Sequence, residues 1–133
     1  MKRKPSTSAR VVTSAERLER LRGEARANPQ DAEAALRVGW ATYAAGEHAE
    51  AEEWFALTAT LAPADVEGVY GLGMTRRARG KTQAAIEAFE KAVRLAERIS
   101  DRTRAQLIQR LAKGHVNYLR SGDWNLEREV WRR

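Results

Sequence analysis

The 133-residue chain has no cysteine, which excludes disulfides, thiolate metal sites and a cysteine nucleophile. It has no apolar run of roughly 18 residues, so the sequence predicts no membrane span. The opening Met1-Lys-Arg-Lys-Pro-Ser-Thr-Ser is basic with no apolar stretch behind it; no secretory signal of the usual form is expected, and a cytoplasmic location is the default. No glycine-rich phosphate loop, nucleophile elbow or metal motif occurs. The two histidines, His48 and His115, lie far apart and form no ligand-spaced pair. The expectation is no catalysis, no cofactor and no metal.

Charge is abundant but uneven. Of 24 basic residues 19 are arginine, a bias toward planar, bidentate contacts with carboxylates or phosphates. Residues 1–10 carry +4, 11–30 carry +1, 31–63 carry −5, 64–100 carry +2 and 101–133 carry +4. An acidic segment is thus flanked by basic ones. Residues 1–12, with four basic residues and Pro5, predict a disordered basic tail.

The main signal is a repeat. Shifting the sequence by 34 residues carries Gly39 to Gly73, Gly46 to Gly80, Ala51 to Ala85, Phe55 to Phe89 and Leu61 to Leu95. A fixed period in this range marks stacked units. Thr13-Ser-Ala-Glu16 is a capping-box pattern, and Leu18, Leu21 and Ala25 follow at helical spacing, predicting a capping helix at 14–27 stopped by Asn28-Pro29. Unit one, 32–63, holds helices at about 32–45 and 48–61, with Asp31 as cap, Gly46 at the turn and Pro63 at the close. Ala35, Val38, Gly39 and Thr42 form the packing face of its first helix. Unit two, 66–99, holds helices at about 65–79 and 82–98 around Gly80, with Arg76 in the position of Thr42. Unit three, 101–133, begins with a helix to about Leu119 whose apolar positions are Leu107, Leu111, Val116 and Tyr118. Its turn, Ser121-Gly122-Asp123-Trp124, comes 42 residues after Gly80, a lengthening by about two helical turns. A last short helix carries Leu126, Val130 and Trp131. The reading is all-α, with about seven helices and no strand.

These residues resemble the tetratricopeptide repeat, whose pattern is W-x2-L-G-x2-Y, A-x3-F and P. Unit one gives Val38-Gly39, Ala51-x3-Phe55 and Pro63; unit two gives Leu72-Gly73 and Ala85-x3-Phe89, with Glu97 where proline is expected. Unit three keeps Tyr118 and places Trp131 at the phenylalanine position, but has His115 for glycine and Glu127 for alanine. The resemblance implies a right-handed superhelix of antiparallel helix pairs, an α-solenoid over residues 13–133. For function it implies only a class, a protein-binding adaptor or scaffold, since fold alone does not fix function.

On such a stack the first helix of each pair lines a concave wall. Beside the packing face, Leu36, Trp40 and Tyr43 form one stripe. The 34-residue shift maps them to Tyr70, Met74 and Arg77, and aligning turns maps them on to Ala112, Val116 and Leu119. Arg37 and Lys113 border the stripe. The expected groove, Leu36, Arg37, Trp40, Tyr43, Tyr70, Met74, Arg77, Lys113 and Val116, suits a peptide or helix carrying acidic residues. Alternatively, Trp40 and Tyr70 pack against the capping helix or each other. The groove lacks the lysine and asparagine clamp with which some members of this family hold a C-terminal carboxylate. Trp124, Val130 and Trp131 either tuck inward or mediate self-association. A second reading, from a different class, is a basic accessory protein touching nucleic acid through its tail and the Arg76, Arg77, Arg79 and Lys81 face. The run Glu47, Glu50, Glu52 and Glu53 reads as a solvated face at a helix start.

Overall fold

Six helices account for most of the described residues, and each begins or ends where a specific residue requires it. The computed structural model describes residues 13–124 and Leu126. Helix α1 (Ser14–Ala27) starts in the complete capping box, with the Thr13 hydroxyl accepting from the Glu16 amide and the Glu16 carboxylate from the Thr13 amide. Aspartates cap three others: Asp31 opens α2 (Ala32–Ala44), Asp65 opens α4 (Val66–Ala78) and Asp101 opens α6 (Arg102–Ser121). Each carboxylate takes up an orphan amide of the first turn. Helices α3 (His48–Leu61) and α5 (Thr82–Ala96) follow tight turns instead. Those turns, and the one after α6, pass through Gly46, Gly80 and Gly122 at φ of +83°, +76° and +77°. Side chains are strained in that left-handed region, so glycine ends each first helix.

Consecutive helices pack against one another along the chain, and α2 also touches α4 directly. Side-chain contacts tie α4 to α6 (Tyr70 and Arg77 to His115) and α1 to α3 (Arg22 to Glu50). Helices α2, α4 and α6 therefore form one row, with α3 packed against α2 and α4, and α5 against α4 and α6. Among the described residues there is no strand, and no helix is long and apolar enough to cross a membrane. The expected seventh helix, with Val130 and Trp131, lies outside the described residues, as does the basic tail 1–12.

Two phenylalanines hold the rows together. Phe55 and Phe89 are fully buried, as are Ala51 and Ala85 one turn before them. A Cβ at Gly39 would come within 2.8 Å of the Phe55 ring, and one at Gly71 within 2.4 Å. The ring is thus held between the backbones of α2 and α4. Phe89 meets Gly73 in the same way, where a Cβ would lie 2.6 Å from it. Its other face stacks on His115, 4.4 Å away and 2° from parallel. Buried Thr42, Thr58 and Thr75 return their hydroxyl protons to carbonyls one turn back, at 2.8, 2.9 and 3.1 Å, so none is left unsatisfied.

The third unit departs from the expected register. The extra length lies in α6, which has 20 residues where α2 and α4 have 13. His115 occupies the place of Gly71, against the preceding phenylalanine, and not that of Gly73. Tyr118 accordingly falls in line with Met74 and Trp40. The close-approach glycine of α6 is Gly114, where a Cβ would lie 2.0 Å from Trp124.

Candidate functional site

The stripe on α2 and α4 rests on the phenylalanine layers. Trp40 stands edge-on to Phe55, with ring centres 4.8 Å apart, and Tyr43 stands edge-on to Trp40 at 5.9 Å. Tyr70 stands edge-on to Phe89 at 5.5 Å and to His115 at 5.8 Å. Trp40 therefore rests on its own unit, and Tyr70 on its own unit's Phe89 and on His115 of the third. Leu36, Trp40, Tyr43, Tyr70, Met74 and Arg77 are all half-buried: anchored on one side and open on the other. Arg37 is exposed and pairs with Glu33 at 3.3 Å, one turn back on α2, a contact worth only a few tenths of a kcal/mol.

Two expected groove residues belong elsewhere. Val116 is 3% exposed and packs in the core, because α6 turns Ala105, Ile108, Ala112 and Val116 toward α5 and α4. Lys113 borders a cleft with Gln106, Gln109, Arg110 and Leu126. Five residues from Tyr118, it is rotated about 140° away on the helix. Leu107, Leu111 and Tyr118, expected as apolar packing positions, are 57%, 38% and 44% exposed. They line the side of α6 that continues the α2–α4 stripe.

Where α4 meets α6, a buried histidine organises polar contacts. His115 is 6% exposed, with Phe89 on one face and the edges of Tyr70 and Trp124 nearby. The Arg77 Nη1 donates to its Nδ1 at 2.6 Å. A guanidinium has no acceptor, so Nδ1 must carry the lone pair and Nε2 the proton. Nε2 then donates to the Tyr70 hydroxyl at 3.2 Å. Burial first, and then the Arg77 charge, push the His115 pKa down to about 4; the imidazole is neutral at physiological pH. Burial likewise raises the Tyr70 pKa. The Arg77 guanidinium also lies over the Tyr118 ring, 4.8 Å from its centre, a cation–π contact. Arg77 meets no carboxylate among the described residues. Trp124 lays its ring on Gly114, 4.8 Å from His115, and is still 37% exposed.

Of the acids at the start of α3, Glu47 and Glu53 are exposed, as expected of a solvated face, but Glu50 and Glu52 are part-buried and paired. Glu50 accepts from Arg22 Nε and Nη2 at 2.9 and 2.6 Å and from the Trp54 indole at 2.9 Å. The Arg22 bonds hold its carboxyl below the usual range. Glu52 receives Arg76 at 3.2 Å, Arg79 at 2.7 Å and Lys81 at 3.2 Å. Burial pushes the Glu52 carboxyl up, but the bonds from Arg79, Lys81 and Arg76 outweigh it and hold the pKa down. Both residues fasten neighbouring units together. Three of the four cations of the expected basic face are thus gathered on one carboxylate, and the fourth, Arg77, turns to His115.

The described residues contain no group of three histidine or acidic side chains placed to hold a metal ion. No family model matches the chain, and no curated protein is similar to it.

Proposed function

We propose that the chain is a protein-interaction adaptor or scaffold, acting in the cytoplasm and without catalysis, that holds a peptide or helical segment of a partner. The binding face is the row α2, α4 and α6, read as the concave wall of a tetratricopeptide-like right-handed superhelix. The observation that carries this reading is the contrast between two sides of the same helices. The 34-residue shift keeps the side that meets the phenylalanines, where stacking dictates glycine and alanine. On the open side it turns Trp40 into Met74 and Tyr43 into Arg77. Half-buried aromatics anchored from below lose little side-chain entropy on contact, which favours them as interface anchors. Arg77 adds a cation that meets no carboxylate among the described residues, which suits a partner carrying carboxylates.

The alternative role in nucleic-acid contact is less favoured, because Glu52 gathers Arg76, Arg79 and Lys81. The test is partner capture by wild type, Trp40→Ala and a chain lacking residues 1–12. Trp40→Ala is expected to weaken capture at least about tenfold, the loss of one buried aromatic anchor, with the deletion near neutral. Loss on deletion, with Trp40→Ala neutral, would overturn the proposal in favour of the basic tail.

A further inference from the structure

Among the described residues, the large hydrophobic side chains most exposed to solvent are Leu107, Leu111, Tyr118 and Trp124, and they gather on one side of α6. Leu107, Leu111, Gly114 and Tyr118 are spaced four, three and four residues apart, which is the seam with which a helix meets another helix. At Gly114 the missing side chain is supplied by Trp124, whose ring lies across the glycine. The seam is therefore continuous over about three turns. Core packing does not account for it, since α6 meets α5 through Ala105, Ala112 and Val116, which are buried.

Charge narrows the choice of occupant. Helix α6 carries four arginines and Lys113 but no aspartate or glutamate. Arg104 and Arg120 are paired with Glu67 and Glu90, but a second copy laid along the same seam would still bring its own Arg77 and Arg110 against these, an arrangement that costs energy. The seam is flanked by Arg110 on α6 and, across from it, by Arg77 over the Tyr118 ring. Neither has a carboxylate partner among the described residues. An apolar seam between cations that meet no carboxylate among the described residues also distinguishes a protein helix from nucleic acid, which would need the cations without the leucines. We propose that the seam of α6 is the docking site for an acidic amphipathic helix of a partner, its apolar stripe on Leu107, Leu111, Tyr118 and Trp124 and its carboxylates on Arg77 and Arg110. This rests on the interaction role above and adds to it the conformation, the charge and the position of the ligand.

The test is selection from a display library of single helices of about 20 residues, randomised along one face and panned against the full chain. The expected winners carry leucine-type residues at heptad spacing flanked by aspartate or glutamate. Their binding should fall at least about tenfold in Leu107→Ser/Leu111→Ser and in Arg77→Gln/Arg110→Gln, and weaken with salt. Both leucines are exposed, so an unchanged thermal midpoint certifies the first variant as folded. Winners with neutral or basic flanks, no winners at all, or winners indifferent to Leu107→Ser/Leu111→Ser would overturn the inference. So would concentration-dependent dimerisation abolished by Leu111→Ser, which would assign the seam to a second copy, or nucleic-acid binding lost in Arg77→Gln/Arg110→Gln alone. Binding that fails only in Trp40→Ala would overturn the α6 site and leave the wider interaction role standing.

Discussion

The two phenylalanine layers come from one repeat and differ in what faces the ring. Phe55 lies between the glycine backbones of α2 and α4, whereas Phe89 has a glycine backbone on one face and the His115 imidazole on the other. A layer closed by two backbones has room for packing and nothing else. A layer closed by a side chain with two ring nitrogens reaches further, here to Arg77 and Tyr70 on the open face. The second layer thus connects the core to the candidate site through hydrogen bonds, whereas the first meets it only through ring packing against Trp40.

Removing each ring tests that contrast most severely. Phe55→Ala is expected to cost about 3–5 kcal/mol in urea unfolding, the usual price of a fully buried phenylalanine. Phe89→Ala should cost about 1 kcal/mol less, because His115 and Trp124 are side chains able to lean into the space and shrink the residual cavity. Around Phe55 the two glycine backbones have no such freedom, and Trp40 is the one ring that stands against it among the described residues. Equal losses, or a larger one at Phe89, would show that the histidine side is as rigid as the glycine side.

The pH dependence of stability separates the layers in a second way. His115 has a folded pKa of about 4 against about 6.5 in an unfolded chain. Between these values the unfolded chain binds a proton that the folded chain refuses, so the unfolding free energy rises with pH. Stability is complete above about pH 6.5 and declines as pH falls toward 4, by an amount on the order of 3 kcal/mol. Glu50 and Glu52, held below their usual range, add losses of the same sign at lower pH. Denaturant titrations of wild type and His115→Phe across pH 4–7 isolate the histidine. Phenylalanine keeps the stack on Phe89 and should flatten the slope between pH 5 and 6.5. An unchanged slope would mean that the protonation resides elsewhere.

Much of this was legible from residue types, and the part that was not has a physical cause. Gly46, Gly80 and Gly122 mark turns because only glycine takes their backbone angles readily. Gly39 and Phe55 recur at Gly73 and Phe89 because the same ring must meet the same bare backbone. Register in the third unit was not legible, because aligning its turn assumes that the extra residues are shared between helices. They lie in α6, and what fixes register is the side chain that stacks on Phe89. Helix α6 also carries two apolar stripes of valid helical spacing. Size favours Leu107, Leu111 and Tyr118 for the interior, yet Ala105, Ile108, Ala112 and Val116 occupy it. The cluster already holds Ile86 and Phe89, and alanines let α6 approach them. The staples at Glu50 and Glu52 were hidden for another reason: their partners lie 24 to 29 residues away in sequence, beyond any local pattern.

Those staples provide the mildest test of how the units differ. Glu50 joins the capping helix to unit one through a single arginine and its own tryptophan, while Glu52 joins units one and two through three cations. Glu52→Gln keeps the shape, removes the charge and leaves Arg76, Arg79 and Lys81 facing an amide. The Glu52 side chain is 16% exposed but its partners are 28%, 35% and 45% exposed, so water and salt screen much of the attraction. The expected loss is about 1 kcal/mol at low ionic strength, shrinking as salt is added. The carboxyl is held below its ordinary value, so the stabilisation is present above about pH 4.5 and is lost as pH falls through the folded pKa. Urea midpoints for wild type and Glu52→Gln, in low and high salt at pH 7, measure it. A gap that does not close with salt would mean that hydrogen-bond geometry, and not charge, is what Glu52 contributes between the units.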